Sequence, residues 1–196
     1  MRCLYLGKGR HAPARRLLPP GTLSIKDSEI EWVTVDINPA TKPDVVFDLG
    51  QLEVYGAVIP YELYHFDEIH AYDVMEHYGQ QGDYLSFFRG WRNLWQMLNK
   101  GGIVIGACPA YNSEWVWGDP GHTRCITEGT LRYLTREYYA AYENDPNSRL
   151  SSYEELVDPF WWRMEESVID VNNGGYYFAM RKVDDEQQNN VSPVSL

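Results

Sequence analysis

Short apolar runs separated by turn-forming residues recur along the first half of the chain, and most are rich in β-branched or aromatic side chains. Runs of this length and composition are typical of strands, and a continuous apolar run indicates a strand buried on both faces of a parallel sheet. The pattern predicts five strands in this part of the chain, at residues 2–6, 32–35, 45–47, 66–72 and 103–107.

A helix is predicted between the fourth and fifth strands, from Asp83 to Leu98. Asp83 suits its N-cap, and Gly101-Gly102 is a stop signal. Apolar side chains recur there at spacings of four and three, which places them on one helix face: Tyr84, Phe88, Trp91, Trp95 and Leu98.

The last third of the chain predicts a capped helix and then a β-hairpin. Thr127 is the predicted cap of a helix that carries Leu131, Leu134 and Tyr138. Two strands, residues 164–171 and 176–183, flank Asn172-Asn173-Gly174-Gly175, which is a strong hairpin signal.

Strands that alternate with helices and end in an antiparallel hairpin predict the α/β fold class. We expect a Rossmann-like three-layer sandwich with a mainly parallel seven-stranded sheet and a C-terminal antiparallel hairpin. The sequence shows no internal repeat and no linker-like stretch. Residues 1–183 are therefore predicted to form a single domain, and the polar residues 184–196 a disordered tail.

Charge and composition narrow the classes of partner. The 196 residues include 17 Lys and Arg against 28 Asp and Glu, a net charge of −11. Because phosphate neutralisation needs clustered basic side chains, this balance disfavours broad binding to nucleic acid and docking on an anionic membrane. The charge is uneven, since residues 1–20 hold five basic residues and no acidic one.

The cysteines and histidines predict neither a disulfide framework nor a metal site. The three cysteines lie far apart without a Cys-x-x-Cys pair, which fits a reducing compartment. His65 and His70 are five residues apart on a predicted strand, so they point to opposite faces. No apolar run approaches the roughly 18 residues that cross a bilayer. We therefore predict a soluble, cytoplasmic protein.

Residues with binding chemistry follow the predicted strands. In an open α/β sheet, ligands bind outside the carboxyl ends of the strands. The turn Gly7-Lys8-Gly9-Arg10-His11-Ala12 fits the dinucleotide pattern G-x-G-x-x-A, the G-x-G turn of methyltransferases, and also a plain tight turn. The other strand ends carry Asp36, Asp48, and the pair Tyr72 and Asp73.

Five segments in chain order carry a resemblance to a known family: LYLGKGRH, VTVDINP, DVVFDLG, FDEIHAYDVMEH and LNKGGIVIGACP. They resemble the successive motifs of the class I S-adenosylmethionine-dependent methyltransferases, over about residues 2–135. The later DPGHTRCIT resembles the segment after the fifth strand in a small subgroup of that family. The resemblance implies S-adenosylmethionine as the cofactor.

The resemblance also implies roles at the first two strand ends. Gly7 and Gly9 would hold the methionine part of the cofactor, and Asp36 the two ribose hydroxyls. Ile37 would pack against the adenine. Tyr5 stands where family members commonly carry an acidic residue, so the sequence departs from the pattern there.

At the next two strand ends, the resemblance implies contacts with the base and the sulfonium. Asp48 and Leu49 would lie at the adenine edge, with Asp48 meeting the exocyclic amine. Tyr72 and Asp73 would lie beneath the sulfonium, where an aromatic face and a carboxylate both favour a cation.

Methyl transfer is an in-line displacement, so most of its catalysis can come from proximity and orientation. A general base is needed only where the acceptor loses a proton, and His77 and His122 are the catalytic candidates. The alternative for each is a hydrogen bond that orders a loop. Glu76 is interpreted as a loop anchor. Trp115 and Trp117 either wall a pocket or pack on the core.

The sequence therefore predicts a methyltransferase that acts on a polar acceptor, with a small molecule as the expected substrate. Three alternatives stay open. The first is a non-catalytic S-adenosylmethionine-binding module, the second is a NAD-binding enzyme, and the third is a methyltransferase that modifies a nucleic acid.

Overall fold

A computed structural model describes most of the chain, namely residues 1–10, 13–15, 29–53, 58–143, 145, 147, 151–170 and 172–184. The strands are β1 (Arg2–Leu6), β2 (Glu31–Asp36), β3 (Val45–Val46), β4 (Phe66–Tyr72), β5 (Leu98–Pro109), β6 (Trp162–Asp170) and β7 (Gly175–Lys182). The helices are α1 (Tyr84–Met97), α2 (Trp115–Gly118), α3 (Glu128–Arg132), α4 (Arg136–Glu143) and α5 (Glu154–Val157). None of the helices in these ranges is long and apolar enough to cross a membrane.

All seven strands form one sheet in the order β3-β2-β1-β4-β5-β7-β6. The first five strands pair in parallel, while β7 pairs antiparallel with both β5 and β6. The predicted fold class, a mainly parallel seven-stranded α/β sheet closed by an antiparallel hairpin, is confirmed. Strands β2 and β3 lie on one side of β1, and β4 and β5 lie on the other, so the strand order reverses between β1 and β4. Ligands of open α/β sheets bind at such a switch point.

Strand β5 is longer than predicted and begins at Leu98 rather than at residue 103. Leu98 pairs with Phe66, and the β4–β5 register then shifts between Phe66 and Glu68. The extra residues include Gly101, whose φ of +69° suits the residue that was predicted as a stop signal.

Helix α1 confirms the predicted amphipathic helix and its cap. The Asp83 side chain accepts a hydrogen bond from the backbone N–H of Ser86 at 3.1 Å. The buried face is rotated from the predicted stripe, because Tyr84 is exposed at the first turn and Leu98 belongs to β5. The apolar side chains of α1 that reach the core are Phe87, Phe88, Trp91, Leu94 and Met97.

The helix predicted after Thr127 forms but does not continue to Tyr138 as one element. Thr127 caps α3 by accepting from the Thr130 backbone N–H at 3.2 Å. The chain then leaves the helix, because Thr135 forms a parallel bridge with Trp162 at the start of β6. A new helix, α4, begins at Arg136 and carries Tyr138.

The β6–β7 hairpin lies where the sequence predicts it, with Gly174 in the left-handed region at a φ of +69°. Its register shifts between Met164 and Glu166. Val171, predicted as the end of the first hairpin strand, lies outside the described residues. Asp184, the first residue of the predicted tail, accepts a hydrogen bond from the Gly101 backbone N–H, and residues 185–196 lie outside the described part.

Candidate functional site

The glycine turn follows β1 directly and requires glycine at its first position. Gly7 and Gly9 have φ values of +63° and +55°, in the left-handed region. A Cβ atom on Gly7 would lie 2.5 Å from Cγ2 of Val74, whereas one on Gly9 would meet only the Gly7 carbonyl oxygen at 3.9 Å. The turn therefore packs against the segment after β4. This contact brings the carboxyl ends of β1 and β4 together.

Asp36 ends β2 and holds this turn in place. One carboxylate oxygen accepts from the Gly9 backbone N–H at 2.7 Å, and the other accepts from the Asn38 backbone N–H at 2.8 Å. Burial alone would raise the pKa of Asp36, but these hydrogen bonds, with a further one from Thr41, hold it below its ordinary value. A carboxylate offers about four acceptor sites and three are used, so the ionised group keeps room for one further hydrogen bond.

The residues predicted to contact adenine follow β2 and β3. Ile37 follows the partly buried strand β2 directly and is 69% exposed. Asp48 is exposed and accepts from the Gly50 backbone N–H at 2.8 Å. Leu49 opens a short 3-10 turn and packs partly against the core. An apolar surface and a carboxylate are thus available beside Asp36.

Tyr72 and Asp73 end β4 and mark where a cavity begins. Tyr72 is 6% exposed, and Asp73 is an exposed non-glycine residue with a φ of +56°. The Asp73 backbone N–H donates to the Ala107 carbonyl of β5 at 2.8 Å. Strain of this kind concentrates at functional sites. Both side chains line the cavity.

The cavity has a volume of about 520 Å³ and lies at the carboxyl ends of β4 and β5. Its other walls come from the loop that contains α2 and from the turn between β6 and β7. Trp115 and Tyr177 supply aromatic surface, and Asn173 and Ser113 supply polar groups. Of the two alternatives left open for these tryptophans, Trp115 lines the cavity, whereas Trp117 is exposed and does not line it.

The two predicted catalytic histidines are neighbours, but only His122 lines the cavity. Their rings meet edge to face, with centroids 4.7 Å apart. Nδ1 of His122 lies 2.8 Å from the Trp115 carbonyl oxygen, and Nδ1 of His77 lies 2.9 Å from the Gly121 carbonyl oxygen. His77 is exposed behind the cavity wall. Each histidine thus makes the loop-ordering hydrogen bond of the alternative interpretation.

Glu76 is a cavity residue whose side-chain environment the sequence analysis missed. Its backbone carbonyl accepts from the N–H groups of Thr123 and Arg124, so its backbone is the predicted loop anchor. Its side chain, however, lines the cavity and makes no hydrogen bond within the described residues. The residue as a whole is 1% exposed. Burial, with the nearby Asp73 and Asp119 carboxylates, raises the pKa of Glu76 to about 8.

Some signals in the sequence pointed to the missed residues. Glu76 lies between Asp73 and His77 at a strand end, and three polar residues in five positions are unusual for a simple anchor. Asn173 and Tyr177 reach the cavity because β7 pairs with β5, with Tyr177 opposite Ala107. That placement follows from the strand order, which the sequence pattern alone did not fix.

A buried chain of polar side chains lies behind Tyr72, on alternate residues of β4. Nδ1 of His70 lies 2.9 Å from the Tyr72 hydroxyl, and Nε2 of His70 lies 2.9 Å from a Glu68 carboxylate oxygen. Arg15 donates to both Glu68 oxygens, at 2.9 and 2.7 Å. Tyr5, the departure from the family pattern, is buried with its ring centroid 6.0 Å from that of Tyr72.

No protein-family model matches this chain, and no curated protein sequence matches it. Solved structures do. The N-methyltransferase NodS from Bradyrhizobium japonicum WM9, in complex with S-adenosylhomocysteine, is 12% identical with a TM-score of 0.53, over 93% of this chain and 78% of that one. A variant of the 16S rRNA (adenine-N(1))-methyltransferase from Catenulisporales acidiphilia, solved with S-adenosylmethionine, is 13% identical with a TM-score of 0.52, over 93% of this chain and 85% of that one.

An S-adenosylmethionine-dependent methyltransferase from Clostridium acetobutylicum ATCC 824 is 10% identical with a TM-score of 0.52, over 92% of this chain and 83% of that one. These similarities confirm the fold that the sequence resemblance implied. The chain has the fold of S-adenosylmethionine-dependent methyltransferases. The matched structures include an N-methyltransferase and an rRNA methyltransferase, so the similarity shows the fold and no particular activity.

Proposed function

We propose that this chain is an S-adenosylmethionine-dependent methyltransferase whose acceptor is a small polar molecule bound in the cavity beside Tyr72 and Asp73. The observation that carries the proposal is the position of that cavity. It opens at the two residues for which the resemblance implies contact with the sulfonium, and it extends away from the other predicted cofactor contacts. An acceptor in the cavity would thus lie next to the transferable methyl group.

The residues at the first three strand ends fit the cofactor in chemistry. The ionised Asp36 keeps acceptor capacity for a ribose hydroxyl, and the exposed Ile37 offers an apolar surface for the adenine. Gly7 and Gly9 carry no side chain, and the Lys8 side chain between them donates to the Thr41 carbonyl. When bound, S-adenosylmethionine supplies a methyl group from a cationic sulfur, which the Tyr72 ring and the Asp73 carboxylate stabilise electrostatically.

Charge in the cavity restricts the acceptor. Its described lining includes the carboxyl groups of Asp73, Glu76 and Asp119 and no Lys or Arg. Two basic residues near the glycine turn are engaged elsewhere, since Lys8 donates to the Thr41 carbonyl and Arg15 pairs with Glu68. Acidic walls repel phosphate groups, so the cavity favours a neutral or cationic acceptor with hydrogen-bond donors over a nucleic-acid backbone.

The bonding change is a displacement at carbon. With S-adenosylmethionine bound, a lone pair of the acceptor heteroatom would form the new bond to the methyl carbon as the carbon–sulfur bond breaks, and the electron pair of that bond would stay on sulfur. The chain would contribute by holding the two molecules in line. Trp115 and Tyr177 provide the flat walls against which an acceptor can be oriented.

Calorimetric titration with S-adenosylhomocysteine tests the cofactor assignment. We expect saturable binding to the wild-type protein, and Asp36→Ala should weaken it by about 1 kcal/mol or more, which is about fivefold in Kd. Asp36→Asn keeps one acceptor oxygen for the Gly9 turn and should give a smaller loss. Glu155→Ala, an exposed change on α5, is the matched control.

Well-folded protein that gives no saturable heat would contradict the proposal. Displacement of a bound adenosine analogue by NAD, but not by S-adenosylhomocysteine, would favour the NAD-binding alternative instead. Saturable binding without methyl transfer to any member of a panel of small amines, alcohols and phenols would favour the non-catalytic module.

A further inference from the structure

Three side chains that commonly ligate metals meet beside the acceptor cavity. Glu76 and His77 are adjacent in the 3-10 turn after β4, and His122 comes from the loop after α2. One ring nitrogen of each histidine and one carboxylate oxygen of Glu76 all lie within 4.8 Å of one another. One ion with ligand distances of about 2 Å needs these atoms within about 4 Å of one another, so it would draw the three side chains slightly together.

The hydrogen bonds of both histidines prepare a ring nitrogen for coordination. Each Nδ1 faces a backbone carbonyl, Trp115 for His122 and Gly121 for His77, and a carbonyl oxygen can only accept. Each Nδ1 therefore carries the proton, which leaves the lone pair on Nε2. A ligating histidine in a metal site typically donates its other ring N–H to a carbonyl or carboxylate in this way.

Glu76 lacks the partner that a buried carboxyl group needs. Both of its oxygens are buried without a hydrogen-bond partner within the described residues. Nε2 of His122 lies 3.9 Å from Oε1 of Glu76, too far for a hydrogen bond and suitable for an ion between them. A buried carboxylate is costly unless it is paired or coordinates a metal.

A second cluster of the same residue types provides the contrast. Cys3, Glu68 and His70 also group closely among buried residues. There, however, both Glu68 oxygens accept from Arg15, and one also pairs with Nε2 of His70. The hydrogen-bonding capacity of that cluster is taken up inside the protein, whereas that of Glu76 is not.

We infer that Glu76, His77 and His122 bind a divalent first-row transition metal ion at the wall of the acceptor cavity. Two imidazoles favour such an ion over Mg²⁺ or Ca²⁺, and two histidines with one carboxylate leave coordination positions open. Asp119, whose Oδ2 lies 4.0 Å from Nε2 of His122, also lines the cavity and can hold a metal-bound water.

The role of the ion rests on the proposed function. An open coordination position facing the cavity can take the oxygen or nitrogen atom of the acceptor and lower the pKa of that group. In this arrangement His77 and His122 act as ligands, and the metal ion replaces the general base that the sequence analysis assigned to them. The acceptor proton leaves to solvent or to Asp119, and the methyl group arrives from the sulfonium side.

Metal binding can be tested without any methyl acceptor. Protein treated with a chelator and dialysed is titrated with Zn²⁺, Mn²⁺ and Mg²⁺ by calorimetry, and its thermal unfolding is followed with and without each ion. We expect one equivalent of Zn²⁺ or Mn²⁺ to bind and raise the Tm, and Mg²⁺ to bind more weakly than either. His77→Ala and Glu76→Gln should each weaken binding by about tenfold or more.

His77→Ala is the primary variant because its ring is exposed and its loss should spare the fold. His65→Asn is the matched control, since His65 is also exposed, lies outside the cluster, and has a φ of +66° that asparagine tolerates. Equal affinity in wild type and His77→Ala, or no saturable binding of Zn²⁺ or Mn²⁺ to folded protein, would overturn the inference.

S-adenosylhomocysteine binding, measured on the same samples, separates the two proposals. Cofactor binding without metal binding would remove the metal site and leave the proposed function intact. Metal binding without cofactor binding would remove the proposed function and leave the metal site intact.

Discussion

Single positions at the glycine turn differ in what they tolerate. Gly7 and Gly9 share left-handed backbone angles, but only Gly7 lies against a neighbouring side chain, Val74. Substitutions at the two glycines can therefore distinguish two contributions to the free energy of unfolding. One is the strain of a side chain at positive φ, and the other is the clash of an added Cβ atom.

We predict that Gly9→Ala lowers the free energy of unfolding by about 1 kcal/mol, the cost of left-handed strain alone. Gly7→Ala should cost about 2–4 kcal/mol, because the new Cβ also displaces Val74. Urea denaturation measures both changes. The double variant Gly7→Ala with Val74→Ala should recover part of the loss, and strictly additive effects would contradict the proposed clash.

At the scale of one element, strand β4 contributes side chains both to a buried polar network and to the cavity wall. Alternate side chains share a face of a strand, so Glu68, His70 and Tyr72 form one buried line that ends in the cavity wall. The residues just after the strand, Asp73 and Glu76, complete the wall. The position of Tyr72 therefore depends on a salt bridge at the other end of the line, between Glu68 and Arg15.

We predict that Glu68→Gln lowers the free energy of unfolding by about 3–5 kcal/mol, because it removes the buried carboxylate charge that pairs with the Arg15 guanidinium. Glu31→Gln is the matched control. It removes the exposed partner of Arg2, whose ion pair should be worth about 1 kcal/mol or less. Similar losses in the two variants would contradict this reading of the buried network.

The same carboxylate sets a pH dependence. Burial alone would raise the pKa of Glu68, but hydrogen bonds and charge from His70 and Arg15 hold it below its ordinary value. A lowered pKa in the folded state means that the stabilisation is present above the ordinary carboxyl pKa and is lost as the pH falls through the folded value. The unfolding free energy of the wild type should thus drop on acidification more steeply than that of Glu68→Gln.

The sequence pattern predicted elements best where local and tertiary preferences agree. The strand at residues 66–72 has the predicted bounds, and Asp83 caps α1 as predicted. The helix after Thr127 was predicted too long, because the Thr135–Trp162 bridge is a contact between residues distant in sequence. Periodicity carries no information about such a contact.

The candidate site likewise contains residues whose positions a local pattern predicts and residues whose positions depend on distant contacts. Gly7, Gly9 and Asp36 lie at the strand ends that a local pattern predicts, while their contact with a cofactor stays a prediction. The surroundings of the Glu76 side chain were not predicted, since its burial depends on the loop after β5 and on the β6–β7 turn. An environment assembled from distant segments follows only from the strand order.

At the scale of the whole molecule, the residues proposed to hold the cofactor and the cavity proposed for the acceptor belong to different halves of the sheet. The former follow β1, β2 and β3, and the latter is built around β4, β5 and β7, with Tyr72 and Asp73 between them. The two halves should therefore respond separately to substitution.

We predict that Trp115→Ala leaves the Kd of S-adenosylhomocysteine within about twofold of wild type, because Trp115 lines the cavity and is not among the predicted cofactor contacts. The same change should raise the KM of an accepted substrate by about fivefold or more, as expected when an aromatic contact is lost. The backbone carbonyl that holds His122 is kept in this variant. Trp117→Ala is the control, and an equal effect on KM would contradict the assignment of Trp115 to the wall.

The two outer strands of the sheet have a consequence for self-association. Unpaired strand edges are templates on which another chain can add a strand and begin to aggregate. One edge, β3, is only two residues long, and the other, β6, is broken by the Met164–Glu166 register shift and carries the charged Arg163 and Glu165. Within the described residues, the shortness of β3 and the register shift and charges of β6 therefore limit the length of flat edge with which a second molecule could pair.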